Sequence, residues 1–349
     1  MTTKKPQQLT EEEKKKMGMG IGADYVAEIP LEQSSLLTKP EEHIAVITHN
    51  RPHVRNEILV PELTYWHKLF TEANHDRDVK VIILNANGTD FSAGDNLRQL
   101  PVEFAGLRPK ARLAKMERLH RFYTGMGGPG PLLSNRNTIA SVQGLCCGSG
   151  GFDLVTDCDL CIACECARFG SPENRLGLGG LARPQLILNI GWKRTRELYL
   201  TGGTLSAQKA MEWGLVNDVV PHDDEHKKLR EETMRWARMI CLHPRDGLTN
   251  SRVSWNNILR ILGIDAAYDY RKLSLVMGSD MHWRPGETDL NFLKLRKDHG
   301  VDEATRIIGE AWAKLGFYTT GLGEGYGYTA VMDKKARQGM PASAAKKRG

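Results

Sequence analysis

The sequence predicts an α/β fold in which strands alternate with helices around a layered core. Three features carry that expectation. Short, continuous apolar runs of strand length recur at 44–48, 79–86 (V-K-V-I-I-L-N-A), 138–142 and 160–164. Helical spacing intervenes, as at Leu63, Trp66, Leu69 and Phe70. Glycine-rich turns lead from strand toward helix, at G-T-D-F-S-A-G-D-N-L (88–97) and around Gly148, Gly150 and Gly151.

A chain of 349 residues can bury a large core in one domain or two. Its 40% apolar and 26% charged residues are ordinary for a globular protein. A net charge of +6 is a mild bias over this length. It suits an anionic small-molecule ligand and is weak ground for nucleic acid. No apolar run has the length of a membrane span, and the opening M-T-T-K-K-P-Q-Q-L-T has no apolar core of the secretory kind, so a cytoplasmic location is expected.

In chain order, residues 1–25 are charged and read as a loosely held arm, and 27–37 (A-E-I-P-L-E-Q-S-S-L-L) as a docking segment before a first strand at 44–48. Residues 101–126 suggest a basic helical hairpin carrying Arg108, Lys110, Arg112, Lys115, Arg118 and Arg121. Its charges fit a solvated face, a wall near ligand phosphates, or an RNA-binding surface. Later, Ser206 suits a helix N-cap and Gly214 the position just past that helix. From 226 onward the pattern is helical, broken at Pro244 and at 283–286. The expected organisation is an arm at 1–37, a core at 38–225, a helical region at 226–330 and a loose tail at 331–349.

Cys158, Cys161, Cys164 and Cys166 crowd together among seven cysteines. Their C-x2-C-x2-C-x-C spacing invites an iron–sulfur or zinc reading. A strand at 160–164 would instead turn Cys161 away from Cys164 and Cys166. The expectation is therefore plain buried thiols and no metal. The odd cysteine count argues against a disulfide framework.

The chemistry concentrates in 141–177, S-V-Q-G-L-C-C-G-S-G-G-F-D-L-V-T-D-C-D-L-C-I-A-C-E-C-A-R-F-G-S-P-E-N-R-L-G. Glycines where a strand meets a helix expose backbone N–H groups to an anion or a developing oxyanion. Asp153 and Glu173, each just after such a turn, are candidate acid and base. Asp157 and Asp159 read as structural. G-S-G-G-F-D is not a dinucleotide fingerprint, since Asp153 replaces its last glycine.

R-P-H-V-R-N (51–56), F-S-A-G-D-N-L (91–97), the central stretch and T-G-G-T-L-S-A-Q-K-A-M-E-W-G-L-V-N-D-V-V-P (201–221) together resemble the enoyl-CoA hydratase/isomerase, or crotonase, superfamily, over roughly residues 40–260. The resemblance implies a crotonase-like ββα spiral core and a helical C-terminal trimerisation region, giving a homotrimer or hexamer. It implies an acyl-CoA substrate and no further cofactor. The thioester oxygen would be held by the backbone N–H groups of Asp95 and Gly150, with Gly151 an alternative to Gly150 because the turn has one extra residue. Asp153 and Glu173 fall on the two hydratase carboxylates, while His53, Val54, Arg55 and Ala93 fall where such enzymes meet the substrate.

Two departures accompany the likeness. Asp153 stands where a family hydratase has Glu, and the run after Glu173 becomes G-L-G-G-L-A-R-P-Q, about two residues shorter. G-G-F after the glycines is similar to feruloyl-CoA hydratase/lyases, whose activity depends on the second acid. A-E-I-P-L-E-Q-S-S-L-L and D-L-N-F-L-K-L-R are similar to ring-opening 6-oxocyclohex-1-ene-1-carbonyl-CoA hydrolases. The functions implied are water addition to an enoyl-CoA, cyclic or aromatic-derived acyl groups included, or a ring-opening C–C hydrolysis. A function of another class, an RNA-binding or scaffold protein on the same fold, would use the basic 108–121 segment.

Overall fold

A computed structural model of the chain describes residues 30–58, 60–97, 130–148, 150–176, 183–270 and 290–314. The basic 108–121 segment, most of the arm, the tail and residues 177–182 lie outside them. A six-stranded sheet runs β1 (Ser35–Glu41), β2 (Ile44–His49), β3 (Val81–Ala86), β4 (Asn137–Val142), β6 (Leu160–Cys164), β9 (Asp218–Val220). Only β1–β2 is antiparallel; the other pairs are parallel. A smaller sheet joins β5 (Leu145–Cys147), β7 (Arg168–Gly170) and β8 (Thr204–Ser206), and Ser92 bridges to Cys146 beside it. The chain thus visits the large sheet, then the small one, then a helix, and repeats, building the α/β spiral that the resemblance implied.

Parallel strands covered on both faces must be apolar on both, and β3 and β4 are buried almost throughout. One face packs Trp66 and Phe70 of α1 (Val60–His75) against Ile82, Leu84, Ala140 and Cys161. The other packs Ile83, Ile139, Ile162 and Cys164 against Leu229 and Ala237, after helices α2 (Phe152–Asp157), α3 (Pro184–Ile190), α4 (Trp192–Thr201) and α5 (Ala207–Trp213), from α6 (Lys227–Cys241). Thr233 of α6 also donates to Ser141 of β4 (3.0 Å).

One strand starts earlier than the apolar runs suggest. β1 begins inside the expected docking segment. It is an edge strand with most residues exposed, so it carries no hydropathic alternation, and its edge position tolerates Pro40. The cap assignments on α5 hold: Ser206 accepts from the Lys209 N–H (3.2 Å), and Gly214 is left-handed at φ 89°.

Pro244 precedes α7 (Arg245–Ile261). Residues 264–270 are helical, and α8 (Phe292–His299) and α9 (Val301–Lys314) form a pair near the central turn. Phe292 of α8 packs with Leu97 and Leu176, and the Trp312 indole N–H of α9 donates to the Thr201 carbonyl (2.9 Å). No helix among the described residues is long and apolar enough to cross a membrane.

Candidate active site

Two loops meet closer than side chains permit. Gly94 (φ 90°) and Gly148 (φ 57°) lie back to back; a Cβ on Gly148 would stand 2.9 Å from Gly94 Cα and 3.2 Å from the Asp95 nitrogen. On the first loop, Ile58 donates to Gly94 and Asn96 donates to Ile58 (2.8 and 3.0 Å). The bonds of that parallel bridge do not use the Asp95 N–H, and the Asp95 nitrogen lies beside Gly148. On the second loop, Gly151 and Asp153 donate to the Gly148 carbonyl (3.3 and 3.0 Å), and the Gly150 N–H takes no part in those bonds. Contact with Ile58 leaves no room for a side chain at Gly150.

His49 supports this turn from beneath. Its buried ring hydrogen-bonds the Gly150 backbone, stacks on Trp66 and meets Phe91 edge-on. Burial pushes its pKa down to about 4, so the imidazole is neutral near pH 7.

Asp153 and Glu173 are both buried and near enough to interact, but their surroundings differ. Asp153, in the first turn of α2, pairs with Arg183 (Nε–Oδ2, 2.9 Å). Arg183 also donates to Asp157 (2.9 Å) and to the Tyr268 hydroxyl (3.2 Å), which itself donates to Asp157 (2.7 Å). Glu173, in the 3-10 turn Pro172–Leu176, hydrogen-bonds the Ser171 hydroxyl. Desolvation first, then the neighbouring charge of Asp153, push the Glu173 carboxyl up to about 7; Asp95 acts in the same direction.

The expected substrate contacts divide. His53 and Val54 form a short 3-10 turn with His53 exposed, and Ala93 sits half-buried beside Gly94. Arg55 turns inward: its guanidinium grips the buried Asp90 with two bonds (2.8 and 3.2 Å), while its carbonyl accepts from the Ala93 N–H (2.9 Å). Asp90 also accepts from the Leu145 N–H at the start of β5 (2.8 Å). Arg55 therefore braces the two loops through Asp90.

Asp157 and Asp159 make structural contacts, Asp159 to Thr138 (2.7 Å) and to Arg252. Burial pushes the thiols of Cys146, Cys158 and Cys161 up, as for unreactive cysteines. β6 does turn Cys161 and Cys164 to opposite faces.

Arg183, Tyr268, His49 and Ser171 escaped the sequence reading. Arg183 lies in the altered run after Glu173, so the two departures from the hydratase pattern meet in one ion pair. A carboxylate shortened by a methylene, with an arginine in the altered run, is the signal that points to it. Tyr268 and His49 carry no local signal.

A profile of the enoyl-CoA hydratase/isomerase family matches residues 39–246. The mevalonyl-coenzyme A hydratase of Aspergillus fumigatus is 34% identical over 196 residues, 56% of this chain and 69% of that protein. A probable enoyl-CoA hydratase of Mycobacterium tuberculosis is 32% identical over 193 residues, 54% of this chain and 70% of its own. Among solved structures, a probable enoyl-CoA hydratase from Mycobacterium thermoresistibile aligns with a TM-score of 0.59 at 31% identity, over 71% of this chain and 97% of that one. An enoyl-CoA hydratase/isomerase from Xanthobacter autotrophicus Py2 aligns with a TM-score of 0.64 at 25% identity, over 80% and 98%. Fold, paired glycine turns and relatives agree, and the chain belongs to the enoyl-CoA hydratase/isomerase, or crotonase, family.

Proposed function

We propose that the protein is a hydro-lyase that adds water across the α,β-double bond of an enoyl-CoA, with Glu173 as its single acid/base. The observation that carries this reading is the inequality of the two carboxylates. Arg183 pairs with Asp153, whereas Glu173 is buried beside like charge and titrates near 7, where a group can both accept and return a proton.

The Asp95 and Gly150 N–H groups would hold the thioester oxygen. Gly150 is a better donor than Gly151, whose N–H already serves Gly148. One such donor is worth roughly 3–4 kcal/mol of barrier. As water's oxygen bonds to Cβ, its proton passes to the Glu173 carboxylate and negative charge builds on the thioester oxygen. The enolate then takes that proton at Cα, and Glu173 returns to its starting state. Asp153, tied to Arg183, would shape the water site without exchanging protons.

The acyl group is a finer matter. The relatives named mevalonyl-coenzyme A hydratase favour a branched acyl chain, and the short end motifs favour a cyclic one. Ring-opening hydrolysis of a cyclic oxo-acyl-CoA is the second reading, on those motifs. Incubating the enzyme with linear, branched, aryl and cyclic enoyl-CoAs and determining each product's mass and connectivity tests both. Water gained with the carbon skeleton intact supports hydration; an opened ring supports hydrolysis. Turnover of none, with salt-dependent RNA binding, would favour the scaffold reading.

We also propose self-association as a trimer or hexamer. α7 exposes Val253, Trp255, Ile258 and Ile261, an apolar face suited to a second copy of the chain. Light scattering of the pure protein tests this; a monomer at micromolar concentration would refute it.

A further inference from the structure

Behind the catalytic turns, on the far face of the large sheet, four soft ligand groups come together. Cys164 ends β6, Cys166 lies in the turn after it, His222 follows β9, and His226 immediately precedes α6. One ligand atom from each lies within 4.8 Å of every other. Cys164 Sγ is 2.9 Å from Cys166 Sγ and 3.3 Å from His222 Nδ1. We propose that Cys164, Cys166, His222 and His226 form a tetrahedral S2N2 site for Zn2+ that clasps the start of α6 to the end of β6. This reverses the expectation of no metal, which weighed the four cysteines without the histidines more than fifty residues further on.

The geometry needs little adjustment. With Zn–S near 2.3 Å and Zn–N near 2.0 Å, ligand atoms around tetrahedral zinc stand about 3.3–3.8 Å apart. Opening the 2.9 Å sulfur pair and drawing in the pairs that stand up to 4.8 Å apart, each by about 1 Å or less, would seat the ion. Two thiolates and two neutral imidazoles cancel the charge of Zn2+, so the complex leaves no net charge in a partly buried place.

One of the histidines is also poorly satisfied without it. His226 is 6% exposed, and its Nδ1 is buried with no hydrogen-bond partner among the described residues, while His222 turns its Nδ1 to Cys164. Leaving such an atom unpaired costs about 1–3 kcal/mol. The H-x3-H spacing of 222 and 226 is a familiar zinc spacing.

The clasp also bears on the active site. The Gly144 N–H donates to Cys166 Sγ (3.4 Å), and Arg168 donates to the Gly144 carbonyl (2.8 Å). Gly144 leads directly into β5 and the Gly148–Gly151 turn. The ion would stabilise the fold and brace that turn from behind, with no part in proton transfer.

The test uses full-length, untagged protein purified with reductant and without chelator. Elemental analysis should find one zinc per chain. Replacement by Co2+ should give the visible bands of tetrahedral cobalt and a near-ultraviolet thiolate charge-transfer band. Cys164→Ser/Cys166→Ser and His222→Ala/His226→Ala should lose both signals, while Cys161→Ser, on the opposite sheet face, keeps them. Should those variants fail to fold, the wild-type protein is stripped by a strong chelator and titrated with Zn2+. One equivalent should then raise the melting temperature and shield Cys164 and Cys166 from alkylation, read by peptide mass spectrometry. Absence of stoichiometric zinc with no cobalt spectrum, a Cys164–Cys166 disulfide in its place, or alkylation unaffected by Zn2+ would each overturn the proposal.

Discussion

Asp153 and Glu173 occupy matched positions and have unmatched surroundings. Each follows a glycine turn, each is buried, and each sits at the start of a short helix. A guanidinium meets the first; among the described residues a hydroxyl, a backbone hydrogen bond and two like charges meet the second. Burial alone therefore does not set a carboxylate's role. The partner decides whether the charge is held or poised, because desolvation penalises the ionised form unless an opposite charge offsets it.

The sharpest break in that comparison is Glu173→Gln. Turnover should fall by about 10²–10⁴-fold while the dissociation constant for a CoA ester stays within a few-fold. Equal loss of both would make Glu173 a positioning group. Arg183→Met comes next, stranding Asp153 and Asp157 as buried, uncompensated charges. Chemical denaturation should show about 3–5 kcal/mol of lost stability. Adding Asp153→Asn and Asp157→Asn should recover much of it; no recovery would mean Arg183 acts by packing alone.

The titration of Glu173 offers a third measure. Its pKa is raised in the fold, so the native state keeps a proton that the unfolded chain releases above about 4.3. Stability from this group is full below that pH, falls as pH rises toward 7, and is flat beyond. The loss is on the order of 4 kcal/mol at most. Denaturation midpoints from pH 4 to 8 should show the decline, and Glu173→Gln should flatten it.

Asp153→Asn should do least. Turnover should drop less than about tenfold, since the residue gives up no proton in the proposed cycle. Removing its charge should move the acidic limb of the pH–rate profile, set by Glu173 near 7, to lower pH. A loss matching that of Glu173→Gln would restore Asp153 as a second acid/base.

Much of this protein is legible along the chain. Buried parallel strands need continuous apolar runs, so β2, β3, β4 and β6 announce themselves, and glycines mark the turns where Gly94 and Gly148 touch. Asp153 and Glu173 are recognisable because their spacing from those turns is local. β1 is not legible, since an exposed edge strand has no buried face to pattern.

The ordered sequence of motifs, by itself, determined the family, the strand–turn–helix repeat and the pair of acids. Folding alone decided which acid has a cation, that Arg55 serves Asp90, that His49 supports Gly150, and that Cys164 and Cys166 face two distant histidines. Periodicity and turn chemistry reach only a few residues along the chain. Coulomb forces and ligand geometry act through space, and a parallel sheet joins segments separated by fifty residues or more.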